Sequence, residues 1–174
     1  PLASAKLKGI FGNGFDYEAV RSKRVELMDN YVEKNGIEVK SGAKELLSFL
    51  KENGYKVALA TATPPQRAER YLKAHDLYKY FDVTVSASMV SVGKPAPDIY
   101  LKAAEMLGLS PQNCVALEDS PNGIKSASSA GCVTVMVPDL DKPSNDIIPL
   151  LHDVADGLSD VKRILRELED CNIQ

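Results

Sequence analysis

Residues 56–66 read KVALATATPPQ, and this stretch sets the fold. Lys56–Thr61 is short and mostly apolar, the pattern of a strand buried on both faces. Thr63 is placed to cap a following helix, Pro64 and Pro65 suit its first turn, and Gln66 would close a capping box. A buried strand running straight into a helix is half of a βαβ unit, and βαβ units build parallel sheets.

The alternation continues on both sides. Upstream, Gly42–Asn53 carries Ala43, Leu46, Leu47 and Leu50 at helical spacing, with Gly54 where a helix should stop. Downstream, Phe81–Ala87 reads as a strand and Pro97–Leu107 as a helix with Tyr100, Ala103, Ala104 and Leu107 on one face, ended by Gly108. Cys114–Leu117 is a strand, Pro121–Ala130 a helix, Val133–Val137 a strand and Val161–Leu168 a last helix. The fold class is therefore α/β, a Rossmann-like parallel sheet with helices on both faces. Phe15–Lys34 differs: it reads as one long, charged helix ended near Asn35-Gly36, and no strand pattern precedes it. This places residues 1–37 outside the sheet and residues 38–174 in the α/β core.

Composition narrows the function classes. The chain has 174 residues, 44% hydrophobic and 26% charged, which suits a soluble globular domain with a sizeable core. A net charge of −3 with scattered Lys and Arg gives no basic face for nucleic acid. No apolar run is long enough to span a membrane and no signal-peptide pattern is present. Cys114, Cys132 and Cys171 lack metal spacing, and reduced thiols in a cytoplasmic protein are the expected reading, with Cys114 buried in the core. His75 and His152 stand singly, without a catalytic partner in the pattern.

Ligands of parallel sheets bind at the carboxyl ends of strands. Those ends carry Thr61 and Ala62 just before a helix, Lys94 in Gly93-Lys94-Pro95, and the adjacent acids Glu118 and Asp119. Singly, each has an ordinary role as a cap or a solvated charge. Together they are complementary. A hydroxyl and N–H groups at a helix start hold phosphate oxygens, a lysine neutralises the charge of phosphoryl transfer, and paired carboxylates hold Mg²⁺.

The ordered set ALATAT (58–63), GKPAPDIY (93–100) and ALEDSPNGI (116–124) resembles the second, third and fourth motifs of the haloacid dehalogenase superfamily. Its flanks are similar to the branch of β-phosphoglucomutases and small sugar-phosphate phosphatases. The resemblance implies that residues 1–37 are the C-terminal part of an α-helical cap. It also implies that Thr61, with the backbone near Ala62, binds the transferring phosphoryl group, that Lys94 bridges it to a nucleophile, and that Glu118 and Asp119 anchor Mg²⁺. The implied activity is a phosphatase working on a small sugar phosphate through an aspartyl-phosphate. The alternatives are a phosphohexomutase or a non-catalytic protein that binds phosphate or Mg²⁺. A response-regulator receiver domain also combines Asp, Thr and Lys-Pro, but no Asp-bearing strand precedes Thr61.

One departure from the family pattern is large. Its first motif, a strand ending in Asp-x-Asp-Gly, has no match before Asp16, and the chain opens at Pro1 rather than Met. Asp139-Leu140-Asp141 follows the apolar run VTVMVP but lies after the other motifs and lacks the glycine. The resemblance thus predicts a core without its central first strand and without the nucleophile. The strands ending at Thr61 and Glu118 would flank the gap, one strand's width or about 9–10 Å apart. Leaving both edges unpaired would cost on the order of 10 kcal/mol at about 1–3 kcal/mol per buried group. The slot should therefore be filled by an N-terminal segment, a second copy of the chain, or a rearranged stretch such as residues 1–12.

Overall fold

The computed structural model describes residues 2–172, and the expectations for Pro1 and the Cys171 thiol lie outside the described residues. The chain divides into two units, Pro1–Glu38 and Val39–Gln174. The first holds two helices, α1 (Leu2–Phe11) and α2 (Tyr17–Asn35). The helix expected from Phe15 starts two residues later because Asp16 caps it, its carboxylate accepting from the Ala19 N–H at 2.9 Å. The Phe11 and Phe15 rings stack with centroids 5.2 Å apart, and no residue of α2 is buried within the unit. Leu2–Phe11 is helical, so that stretch is not the strand that could fill a gap in the sheet.

In the second unit, α3 (Ala43–Glu52) precedes a strict strand–helix alternation: β1 (Ala58–Thr61), α4 (Pro65–Ala74), β2 (Val83–Ser86), α5 (Asp98–Leu107), β3 (Val115–Glu118), α6 (Pro121–Ala130) and β4 (Val133–Met136). A two-residue β5 (Asp153–Val154) and α7 (Val161–Asn172) complete it. Every ladder is parallel. The strands form two sheets, β1-β2 and β3-β4-β5, and among the described residues no ladder joins β1 to β3. Helix α5 packs on β1 and β2, α6 packs on β3 and β4, and α5 packs on α6, so helices rather than strand pairing hold the two sheets side by side.

The core follows these layers. Val135 and Val137 of the β4 segment meet Leu46 of α3 and Val161, Ile164 and Leu165 of α7 on one face. On the other, Met136 and Ile124 of α6 pack with Ile147. Val85 of β2 packs on Ile99 and Ala103 of α5. Among the described residues no helix is long and apolar enough to cross a membrane.

Several expected boundaries move for identifiable reasons. Strand β1 begins at Ala58 rather than Lys56, and the Val57 N–H instead donates to the Asp82 carboxylate at 2.7 Å. Thr63 does not cap α4. Pro64 holds the cap position without a side-chain bond, and the Thr63 N–H donates to Thr61 Oγ1 at 3.0 Å, so the capping box is not formed. Strand β5 is too short to leave a periodic signal. Cys114 is part-exposed rather than a core thiol, because it stands one residue ahead of β3, where Sγ donates to the Ser110 carbonyl. Burial pushes the Cys132 thiol up to about 11, with the nearby Cys114 adding to it.

Candidate active site

Three strand ends converge in the second unit. At the end of β1, the chain bends through Ala62, which is exposed, and Thr61 Oγ1 accepts from the Thr63 N–H. This turn uses one lone pair of the hydroxyl and leaves its proton for another acceptor. Beside it, at the end of β2, the fully buried Ser86 donates to the Thr63 carbonyl at 3.0 Å and pins the loop to the neighbouring strand. Sequence reading passed over Ser86; its only signal is a hydroxyl at the last position of an apolar strand.

Lys94 reaches from the loop before α5 to both strand ends. Its Nζ donates to the Ala60 carbonyl of β1 at 3.4 Å, to Tyr100 Oη at 3.3 Å and to Glu118 Oε1 at the end of β3. An ammonium has three N–H donors, and all three are matched here. The Tyr100 hydroxyl also donates to Glu118 Oε1, and Nζ lies 5.0 Å from the Tyr100 ring centroid, within cation–π range. Burial, reinforced by the Glu118 charge, holds the Tyr100 phenol well above its ordinary value, so it stays protonated as a donor. The sequence places Tyr100 on the apolar face of α5 and at the end of GKPAPDIY, with no role of its own. Its hydroxyl is the feature that periodicity cannot see.

Glu118 is 8% exposed, and Asp119 next to it is exposed. The reason is the strand's alternation: Glu118 points inward with Ala116, and Asp119 lies past the last residue of β3. Glu118 Oε2 stands 3.5 Å from Ser120 Oγ, and Ser120 caps α6 by accepting from the Gly123 N–H at 3.2 Å. The carboxylate thus sits over the amino end of α6, where the helix dipole favours negative charge. A Cβ at Gly123 would overlap the Glu118 carboxyl group, so the seat requires glycine at that position. Among the described residues the Asp119 carboxylate makes no hydrogen bond or ion pair, and no group of three or more His, Cys, Asp or Glu side chains is arranged to hold a metal ion.

The structure therefore brings Lys94 and Glu118 into direct contact and puts Lys94 against the backbone one residue before Thr61. Asp139 and Asp141 stand in the loop after β4, where Asp139 pairs with Lys40 at 3.4 Å and Leu140 is 96% exposed. His75 ends α4 and His152 is exposed.

A part-buried lysine–carboxylate pair thus lies at the carboxyl ends of parallel strands, beside a hydroxyl turn and an exposed acid. The model of the haloacid dehalogenase-like hydrolases matches residues 10–131, and the chain belongs to that family. It is 47% identical over 90 residues to the phosphorylated carbohydrates phosphatase of Thermotoga maritima, covering 52% of this chain and 42% of that protein. It is 40% identical over 97 residues to hexitol phosphatase B of Escherichia coli, covering 56% and 44%. The crystal structure of CbbY from Rhodobacter sphaeroides in complex with phosphate superposes with a TM-score of 0.71 at 26% identity, covering 85% of this chain and 67% of that one. The chain spans less than half the length of these two curated relatives.

Proposed function

We propose that this chain is a C-terminal portion of a Mg²⁺-dependent phosphatase acting on a small phosphorylated sugar. The observation that carries the reading is the Lys94–Glu118 pair bridging the carboxyl ends of β1 and β3 beside Thr61. In this reading Thr61 and the backbone at Ala62 hold the phosphoryl oxygens, and Lys94 neutralises their charge. To do so Lys94 must exchange one of its three present acceptors for a phosphoryl oxygen. Phosphatase is preferred to a phosphohexomutase because the phosphorylated carbohydrates and hexitol relatives both carry phosphatase names.

The donors suit one hard divalent cation. Asp119 offers an exposed, uncommitted carboxylate, while Glu118 can turn to a metal only as Lys94 leaves it. When bound, Mg²⁺ would offset phosphate charge through oxygen ligands.

The nucleophilic aspartate of this chemistry has no candidate in the site. We infer that a further strand carrying it sits between β1 and β3, from a segment outside these 174 residues. A second copy could cover the edges but would bring no nucleophile. The open ladders of β1 and β3 and the part-buried state of all four β1 residues support this. The helices of the first unit are read as the C-terminal part of an α-helical cap.

The test is an assay of p-nitrophenyl phosphate and hexose phosphates with Mg²⁺. The 174-residue chain is expected to show no turnover, and a longer polypeptide that adds the Asp-bearing strand is expected to be active. Turnover by the chain alone that survives purification and vanishes in Lys94→Ala would overturn the inference of an external nucleophile.

A further inference from the structure

We propose that Tyr100 is a positioning residue of this site, its hydroxyl and ring together fixing Lys94 at the carboxyl end of β1. The proposal rests on the reading of Lys94 as the phosphate contact and gives a role to a residue of the GKPAPDIY stretch that the resemblance left without one. Tyr100 Oη stands between the two charged groups: it accepts from Lys94 Nζ at 3.3 Å and donates to the same Glu118 oxygen that Lys94 binds. The ring forms a second contact, with the ammonium 5.0 Å from its centroid.

The anchoring has a physical purpose. A lysine has four rotatable bonds and loses rotamer entropy when fixed. Without Tyr100, only the Glu118 ion pair and the long 3.4 Å bond to the Ala60 carbonyl would hold Nζ, leaving it several rotamers. Tyr100 is itself fixed, because α5 is packed on β1, β2 and α6, and Ile99 beside it is fully buried. A rigid helix thus lends its position to a flexible side chain. The Lys94 side chain remains 21% exposed, so it is held in place without being sealed from a ligand.

The experiment is acylation of lysines in the 174-residue chain by an N-hydroxysuccinimide ester, read residue by residue by peptide mass spectrometry. Lys51 and Lys102, with side chains 35% and 37% exposed, serve as internal references. Tyr100→Phe keeps the ring and removes the hydroxyl. Lys94 should then acylate at least about threefold faster relative to the references, and faster still in Tyr100→Leu. A Lys94 rate unchanged in Tyr100→Phe overturns the proposal, because a tyrosine that merely fills space would give that result. If all lysines accelerate together the variant has unfolded, and the wild-type chain decides. There Lys94, held by three acceptors, must acylate at least about tenfold more slowly than Lys51, which among the described residues only the Asp82 carboxylate holds; equal rates overturn the proposal. A separate arm adds inorganic phosphate with Mg²⁺ to the wild type. Absence of protection at Lys94 would count against its role as phosphate contact, whereas the Tyr100 variants judge the anchoring itself.

Discussion

Replacing Gly123 by alanine opposes two effects of opposite sign. Gly123 occupies the first turn of α6, and in an ordinary helix Gly→Ala stabilises by about 1 kcal/mol. Here the new methyl would overlap the Glu118 carboxyl group. That group is the far end of a side chain and could swing away if it were free, but it accepts from both Lys94 and Tyr100 and is nearly buried. Hydrogen bonds to a charged group are worth about 1.5–3 kcal/mol each. Losing one or both outweighs the helix gain, for a net loss of about 0.5–5 kcal/mol. With a urea slope of about 2 kcal/mol/M, the midpoint should fall by roughly 0.3–2.5 M. Urea unfolding followed by circular dichroism measures this. A double-mutant cycle separates the causes. In a Glu118→Ala background the clash is gone, and Gly123→Ala should become neutral or stabilising. A Gly123→Ala protein as stable as the wild type, or a loss that persists without Glu118, would refute the seat described for the carboxylate.

Other outcomes follow from the same contacts. Burial, then the Glu169 carboxylate, raises the Tyr55 phenol to about 12 from its ordinary 10.0. A raised folded value means stability present below pH 10 and lost as pH climbs toward 12; Tyr55→Phe should flatten that decline in urea midpoints. Asp82 is held below its ordinary 3.8, first by Lys51 and then by the Val57 N–H. Its contribution is present above that value and lost as pH falls through the lowered one, so Asp82→Asn should weaken the acid dependence of stability. Asp82→Ala strands the N–H of the buried Val57 and should cost about 1–3 kcal/mol in the same measurement. Ser86→Ala removes the bond to the Thr63 carbonyl, costing about 1 kcal/mol, and should speed amide exchange at Ala62 and Thr63.

Local order determined how much of this was legible in the sequence. Helix α6 falls on Pro121–Ala130 as read, because Ser120 caps it and Gly131 at φ +87° ends it, signals carried within a few residues. The parallel α/β class followed from apolar strands alternating with helices, and Thr61, Lys94, Glu118 and Asp119 from the carboxyl ends of those strands. What the sequence could not decide depends on partners distant along the chain. Thr63 looked like a cap until its own N–H was found on Thr61, and the start of β1 depends on Asp82, 25 residues from Val57. The division of labour between two adjacent acids is likewise tertiary: only strand alternation, the glycine at 123 and the arrival of Lys94 and Tyr100 bury Glu118 and leave Asp119 outside. Residue type sets what a side chain can do. Which groups surround it sets what it does, and that is fixed only when α5 and α6 pack together.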